Sequence, residues 1–132
     1  MSHLEGHDAL AVSSTWKFRS PEGRTESYIQ TCIENYPSVG LFVNKETQRT
    51  GAEELASFVM CYGLGLAGML GTKSKYIGKG YAKNVMKFMC GEMKNRGLVP
   101  TCTVEFSNSK ALKVMEVIGF TKSHTFDWIY KY

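Results

Sequence analysis

Between residues 26 and 36 the apolar side chains Ile29, Cys32, Ile33 and Tyr36 recur at three- and four-residue spacing, the stripe of an amphipathic helix, and Pro37 stops it. Upstream, residues 8–14 read as a short helix, residues 16–19 as an extended piece around Trp16, and Ser20-Pro21-Glu22-Gly23 as a turn. Beyond Pro37 the period shortens to that of strands. Residues 39–44 predict a strand, residues 45–52 are polar with Gly51 and predict a hairpin loop, and residues 55–62 and 64–72 predict two strands joined tightly through Gly63. The last of these carries Gly65, Gly68 and Gly71, which weaken a sheet unless a bulge or a close backbone approach requires them. A bent or edge strand accounts for these glycines as well as a bound group does.

The helical period returns over residues 81–96, where Tyr81, Val85, Phe88, Met89 and Met93 draw one face and Gly97 suits the left-handed position past the end. A methionine-rich stripe of this kind belongs to a core. Residues 101–106 are β-branched and short, a central strand. Ser107 or Asn108 then caps a helix with Ala111, Leu112, Met115 and Ile118 on its core face and Gly119 at its end. Phe126, Trp128 and Tyr130 alternate in a closing strand. The order is strand, glycine-rich turn, helix, strand, helix, strand, which predicts an α/β layered domain (α+β by some schemes) with a mixed sheet. With no repeat, low-complexity tract or linker, residues 1–132 read as one domain.

Composition agrees with a globular chain: 43% hydrophobic and 21% charged over 132 residues. No apolar run approaches spanning length, since residues 58–70 are the longest candidate and three glycines break them, so no membrane partner is expected. The opening Met-Ser-His-Leu-Glu-Gly-His-Asp resembles neither a secretory signal nor an arginine-rich presequence. Cys32, Cys61, Cys90 and Cys102 lack C-x-x-C spacing and sit in core-like segments, which favours a reducing, intracellular and cytoplasmic setting. His3 and His7 are four residues apart but make a poor metal pair near a terminus expected to be mobile, and no metal is expected.

Net charge +4 and a pI near 8.9 favour an anionic partner: nucleic acid, acidic lipid or a phosphorylated cofactor. The distribution of charge separates these. Lysines concentrate in residues 73–83, Lys-Ser-Lys-Tyr-Ile-Gly-Lys-Gly-Tyr-Ala-Lys, with no acid among them, rather than along a recognition helix, and there is no aromatic-basic motif of the RRM type. Nucleic acid is therefore not expected. Gly78 and Gly80 let backbone N–H groups approach an anion, and the following helix presents its unpaired first-turn donors and positive dipole end. Such a turn suits phosphate.

Tyr76-Ile77-Gly78-Lys79-Gly80-Tyr81-Ala82 between a bent strand and a helix, a strand ending at Asn108, and the run from Ala111 to Gly119-Phe120 together resemble the acyl-CoA-binding half of the GNAT N-acyltransferase superfamily. Within it the likeness is greatest to glycine N-acyltransferases and their relatives. Residues 4–18, Cys32-Ile33-Glu34-Asn35-Tyr36-Pro37-Ser38 and Glu105-Phe106-Ser107-Asn108 resemble segments of that group's C-terminal domain, and the likeness covers nearly all of this chain.

The resemblance implies a mostly antiparallel sheet with a central splayed parallel pair and helices on both faces. It implies acyl-CoA as co-substrate and glycine or another small amine as acceptor. It also leaves a mitochondrial address open. The coenzyme diphosphate would sit on the amides of Gly78, Lys79, Gly80, Tyr81 and Ala82, pantetheine would pair along Leu70, Gly71 and Thr72, and Asn108 would lie near the thioester. Three positions depart from the pattern. Ile77 stands where Gln or Arg is usual, Met115 where many members place a tyrosine acid, and Leu66 where glycine N-acyltransferases place a carboxylate base. A substitute base would come from Glu105, Tyr62, Tyr76 or His124, with Glu105 first because it lies beside the strand opening. The alternative to an enzyme is a module that holds acyl-CoA and turns over slowly or not at all.

Overall fold

The computed structural model describes residues 1–15, 24–44, 52–61 and 65–125, the side chain of Arg24 excepted. Three strands, β1 (Ser38–Asn44), β2 (Glu53–Cys61) and β3 (Ala67–Thr72), form an antiparallel sheet in the order β1-β2-β3. Four helices, α1 (Ala9–Thr15), α2 (Arg24–Asn35), α3 (Tyr81–Asn95) and α4 (Ser109–Ile118), cover it. β2 is the strand that the rest is built around. Its residues alternate between two cores: Leu55, Phe58 and Met60 pack with Leu4, Val12, Ile29, Cys32 and Ile33 from the N-terminal segment, α1 and α2. Val59 and Cys61 point the other way, into Val39, Ala67, Val85, Met86, Met89, Met93 and Met115. A strand covered on both faces needs an almost unbroken apolar run, and residues 55–61 are all buried.

Several expectations are corrected here. The N-terminal segment is tied to the sheet: Ser2 exchanges two backbone bonds with Gly40 at 3.0 and 2.8 Å, and Leu4 is buried. His3 bonds the Ser38 carbonyl at 3.1 Å and approaches Glu92 at 3.2 Å, whereas His7 meets Glu5 and Asp8, so the two histidines do not act together. On α3 the buried face is Val85, Met86, Met89 and Met93, and Phe88 is 40% exposed. At 100° per residue Phe88 falls more than ~100° from the centre of that group, while Met86 lies at its edge, within ~50°. On α4 only Met115 is buried and Leu112 stands 38% exposed, because this helix leans on α3 and on Cys102 and Val104 at the margin of the sheet.

Residues 101–106 do not form a full strand. Ala67 donates to the Thr101 carbonyl and Thr103 donates to the Ala67 carbonyl, both at 2.9 Å, making one parallel bridge between Ala67 and Cys102. Among the described residues no further backbone bond joins β3 to this segment, so the parallel pair meets at Ala67 and then parts. The predicted strand over 64–72 begins only at Ala67, since Gly65 turns away at φ +74°. The extended piece at 16–19, the turn at 20–23, nearly all of the 45–52 hairpin loop, Tyr62, Gly63 and the aromatic positions of the closing strand lie outside the described residues.

Candidate functional site

The cause of the parting is visible in the register of β3. Phe58 of β2 faces Gly71 and Met60 faces Gly68, so the two residues Met69 and Leu70 stand opposite the single residue Val59. This is a β-bulge, which bends the strand and leaves one residue out of the ladder. Met69 takes φ +46°, a left-handed conformation that costs a side-chain-bearing residue about 1–2 kcal/mol. Burial at 6% exposure in the α1/α2 core holds it there. Gly71 has an internal reason to be glycine: a Cβ at that position would lie 2.5 Å from Cζ of Phe58. Past the bulge the ladder resumes, with Ser57 opposite Thr72, and the Ser57 and Thr72 hydroxyls lie 2.9 Å apart.

From Thr72 the chain passes through a single 3-10 turn, Ser74–Tyr76, into the glycine turn. Gly78 and Gly80 have φ of +86° and +77°, and a Cβ on either would meet nothing within 4 Å. These two glycines are required by backbone conformation, and the space around them is open. Gly80 is the N-cap of α3 and supplies no side-chain bond. The first helical bond there runs from the Asn84 N–H to the Gly80 carbonyl at 3.2 Å. Among the described residues the N–H groups of Gly78, Lys79, Gly80, Tyr81, Ala82 and Lys83 donate to no protein acceptor outside the helix, and residues 77–80 are exposed. Unpaired N–H groups at the positive end of a 15-residue helix form an anion cradle. A cleft of about 480 Å³ opens along the link from β3, between Thr72, Lys73, Ser74, Lys75 and Ile77 on one side and Ser14 and Thr15 of α1 on the other.

The lysines divide into two pairs. Lys73 approaches Glu54 at 3.4 Å, and Lys75 bonds the other oxygen of the same carboxylate. Lys79 and Lys83 carry no ion pair among the described residues. The acid that balances the turn was missed from the sequence because it lies about 20 residues upstream, on β2. Hydrogen bonds from Lys75 and then from Tyr76 hold the Glu54 carboxyl down at about 2. The Tyr76 hydroxyl donates to Glu54 Oε1 at 2.5 Å, and that bond raises its own pKa above the ordinary 10. The Tyr76 hydroxyl is therefore engaged as a donor to Glu54 in this structure.

Glu105 is exposed two residues beyond Thr103, where the pairing with β3 ends, and its carbonyl accepts from the Asn108 N–H at 2.9 Å. Asn108 caps α4, with Oδ1 accepting from the Ala111 N–H at 3.1 Å, so any ligand contact falls to its Nδ2. His124 is exposed and bonded to the neighbouring Ser123 hydroxyl at 3.0 Å. Met115 is buried and Leu66 half-buried, both apolar as the sequence requires. Burial pushes the Cys61 and Cys102 thiols up to about 11, so neither is a thiolate nucleophile near neutral pH.

An antiparallel sheet with helices on both faces, a bulged strand parting from a parallel neighbour, and an open helix N-terminus at the end of that strand define the fold of GNAT acetyltransferases. Solved structures are similar to this chain, among them the following three. A Drosophila protein matches with a TM-score of 0.73 and 24% identity over 92% of this chain, and the chain spans only 39% of that protein. A ribosomal-protein-alanine N-acetyltransferase from Brucella melitensis biovar Abortus matches at 0.64 and 16% identity, covering 98% of this chain and 96% of its own. A predicted acetyltransferase with acetyl-CoA from Clostridium acetobutylicum matches at 0.60 and 12% identity, covering 96% and 92%. No curated protein sequence matches significantly. The FR47-like protein family model matches residues 38–129, and the chain belongs to that family.

Proposed function

We propose that this chain is an acyl-CoA-dependent N-acyltransferase that moves an acyl group from coenzyme A onto the amine of glycine or another small amine. The observation that carries the reading is the row of unpartnered N–H groups from Gly78 to Lys83 at the end of a strand that has parted from its parallel neighbour. The diphosphate sits on the amides of Gly78, Lys79, Gly80, Tyr81 and Ala82, assisted by the charges of Lys79 and Lys83. Pantetheine runs along Leu70, Gly71 and Thr72 and fills the gap that opens past Ala67. Asn108 Nδ2 faces the thioester from the start of α4.

In this reading the amine nitrogen attacks the thioester carbonyl, the C–N bond forms, and the C–S bond breaks as coenzyme A leaves. Glu105 takes the proton that the neutral amine sheds as its C–N bond forms, and the departing thiolate takes up a proton from solvent to leave as a thiol. Backbone N–H groups at the bulge of β3 stabilise the oxyanion, and positioning of the two reactants supplies much of the acceleration. Direct attack is favoured over an acylated cysteine because burial raises all four described thiols above their ordinary value. Where such a chain is part of a longer protein, it corresponds to the acyl-CoA-binding domain, consistent with its span of the Drosophila structure.

A second reading is an acyl-CoA-binding module with little or no turnover. Apolar Leu66 and Met115 at the usual acid and base positions, with the Tyr76 hydroxyl already engaged, favour it. One experiment separates the two. The protein is titrated with coenzyme A by calorimetry, then incubated with acyl-CoA and a panel of amines while free thiol is followed. Micromolar binding with amine-dependent thiol release supports the enzyme. Binding without release selects the module, and no binding defeats both.

A further inference from the structure

We propose that Glu54 and Tyr76 form a positioning pair that ties the anion-binding turn to the central strand and sets the affinity of the site for coenzyme A. The inference rests on the functional reading above for its ligand. Glu54 sits near the start of β2, and one carboxylate receives three donors from the link after β3: Lys73, Lys75 and Tyr76. Lys75 is 60% exposed, so solvent screens its share, whereas the Glu54 side chain is 13% exposed and its bond to the Tyr76 hydroxyl is short.

The Tyr76 ring reaches the other way. Its centroid lies 6.1 Å from that of Tyr81, the first residue of α3, and 5.7 Å from Nζ of Lys79. Residues on either side of Gly80 therefore rest on one ring, and that ring is anchored through its hydroxyl to β2. Gly78 and Gly80 occupy left-handed conformations, and a Cβ on either would meet nothing within 4 Å, so no packing on that side of the turn restrains it. The Glu54–Tyr76 bond brackets it instead. It restrains the donors before the ligand arrives, which lowers the ordering penalty of binding.

The sign of the charge effect separates positioning from plain electrostatics. Glu54 is an anion near a site for an anion, so removing its charge would strengthen binding if it acted only through its field. Positioning requires the opposite. Coenzyme A affinity is measured by calorimetry for the unaltered chain, Glu54→Gln, Tyr76→Phe and the double variant, with the melting temperature of each. Each single variant is expected to weaken binding about 5-fold, and the double variant no more than either single one, because both remove the same link. Tyr76→Phe keeps the ring and the charge, and Tyr76→Leu, which loses the ring as well, is expected to weaken binding further. Tighter binding by Glu54→Gln, or losses that simply multiply in the double variant, overturns the proposal.

A readout without ligand keeps this distinct from the functional reading. In amide NMR spectra of the free protein, the Gly78, Lys79, Gly80 and Tyr81 resonances are expected to shift or broaden in Tyr76→Phe, while those of α4 stay in place. If the unaltered chain binds no coenzyme A but the turn responds, the functional reading fails and the positioning of the turn stands. If it binds and neither affinity nor turn resonances respond, the positioning proposal alone falls.

Discussion

Two helix N-termini in this protein meet the same physical problem and solve it in opposite ways. At α4, Asn108 folds its side-chain oxygen onto the Ala111 N–H and satisfies an orphan donor within the chain. At α3 the N-cap is Gly80, which has no side chain to offer, and the donors from Gly78 to Lys83 find no acceptor among the described residues, beside an exposed turn at 77–80. A capped end stabilises the fold, whereas an uncapped end held in place by surrounding structure is available to a ligand. The approach also differs. The chain reaches α4 through a short turn closed by the Glu105–Asn108 bond, and it reaches α3 from a bulged strand through a link bonded to Glu54.

The largest expected effect comes from closing the open end. Gly80→Asp puts a capping carboxylate where the proposed diphosphate sits, in a left-handed conformation that Asp tolerates better than most residues. Coenzyme A affinity is expected to fall at least ~100-fold by calorimetry, with far-UV circular dichroism retained; unchanged affinity would remove the diphosphate from this turn. Next is the strand that leads to it. Gly71→Ala drives a methyl into the Phe58 ring and is expected to destabilise the protein by about 1–3 kcal/mol in urea unfolding. Stability equal to that of the unaltered chain would mean the glycine serves something other than packing.

Opening the closed end is the converse and smaller change. Asn108→Ala removes the cap of α4 and is expected to cost about 1 kcal/mol of stability, measured by the same denaturation. No loss would show that the two termini differ less than their bonds indicate. Smallest is the pH response of the Glu54 link. Its folded pKa, about 2, lies below the ordinary 4.5, so its contribution is present above pH 4.5 and is lost as pH falls toward 2. Melting temperatures between pH 5 and pH 2 are expected to fall less steeply in Glu54→Gln than in the unaltered chain; parallel curves would deny the carboxylate this role.

The open terminus was legible in the sequence because everything that makes it is local: two glycines, a helical period starting at Tyr81, and lysines within a few residues. The cap of α4 was legible for the same reason, down to the choice between Ser107 and Asn108. What could not be read was the pairing of Lys73 and Lys75 with Glu54, since the intervening chain conceals that β2 and β3 bring them together. Phe88 and Leu112 fit the helical period yet stay exposed, because a period marks a stripe but not its centre, and that centre depends on which neighbours are present. Residues 101–106 form one bridge and no full strand for a related reason. Its residues favour extension, but a ladder needs a partner that stays alongside, and the bulge turns β3 away after Ala67.

The sequence by itself determined the four helices and three paired strands of the described residues, the apolar run along β2, and a turn at Gly78 and Gly80 that glycine suits, since period and steric freedom are properties of a few consecutive residues. Only the tertiary structure decided which lysines are neutralised, that the Tyr76 hydroxyl donates to Glu54, and where the parallel pair parts. Those outcomes depend on distances between segments that are far apart along the chain, and the packed core sets such distances.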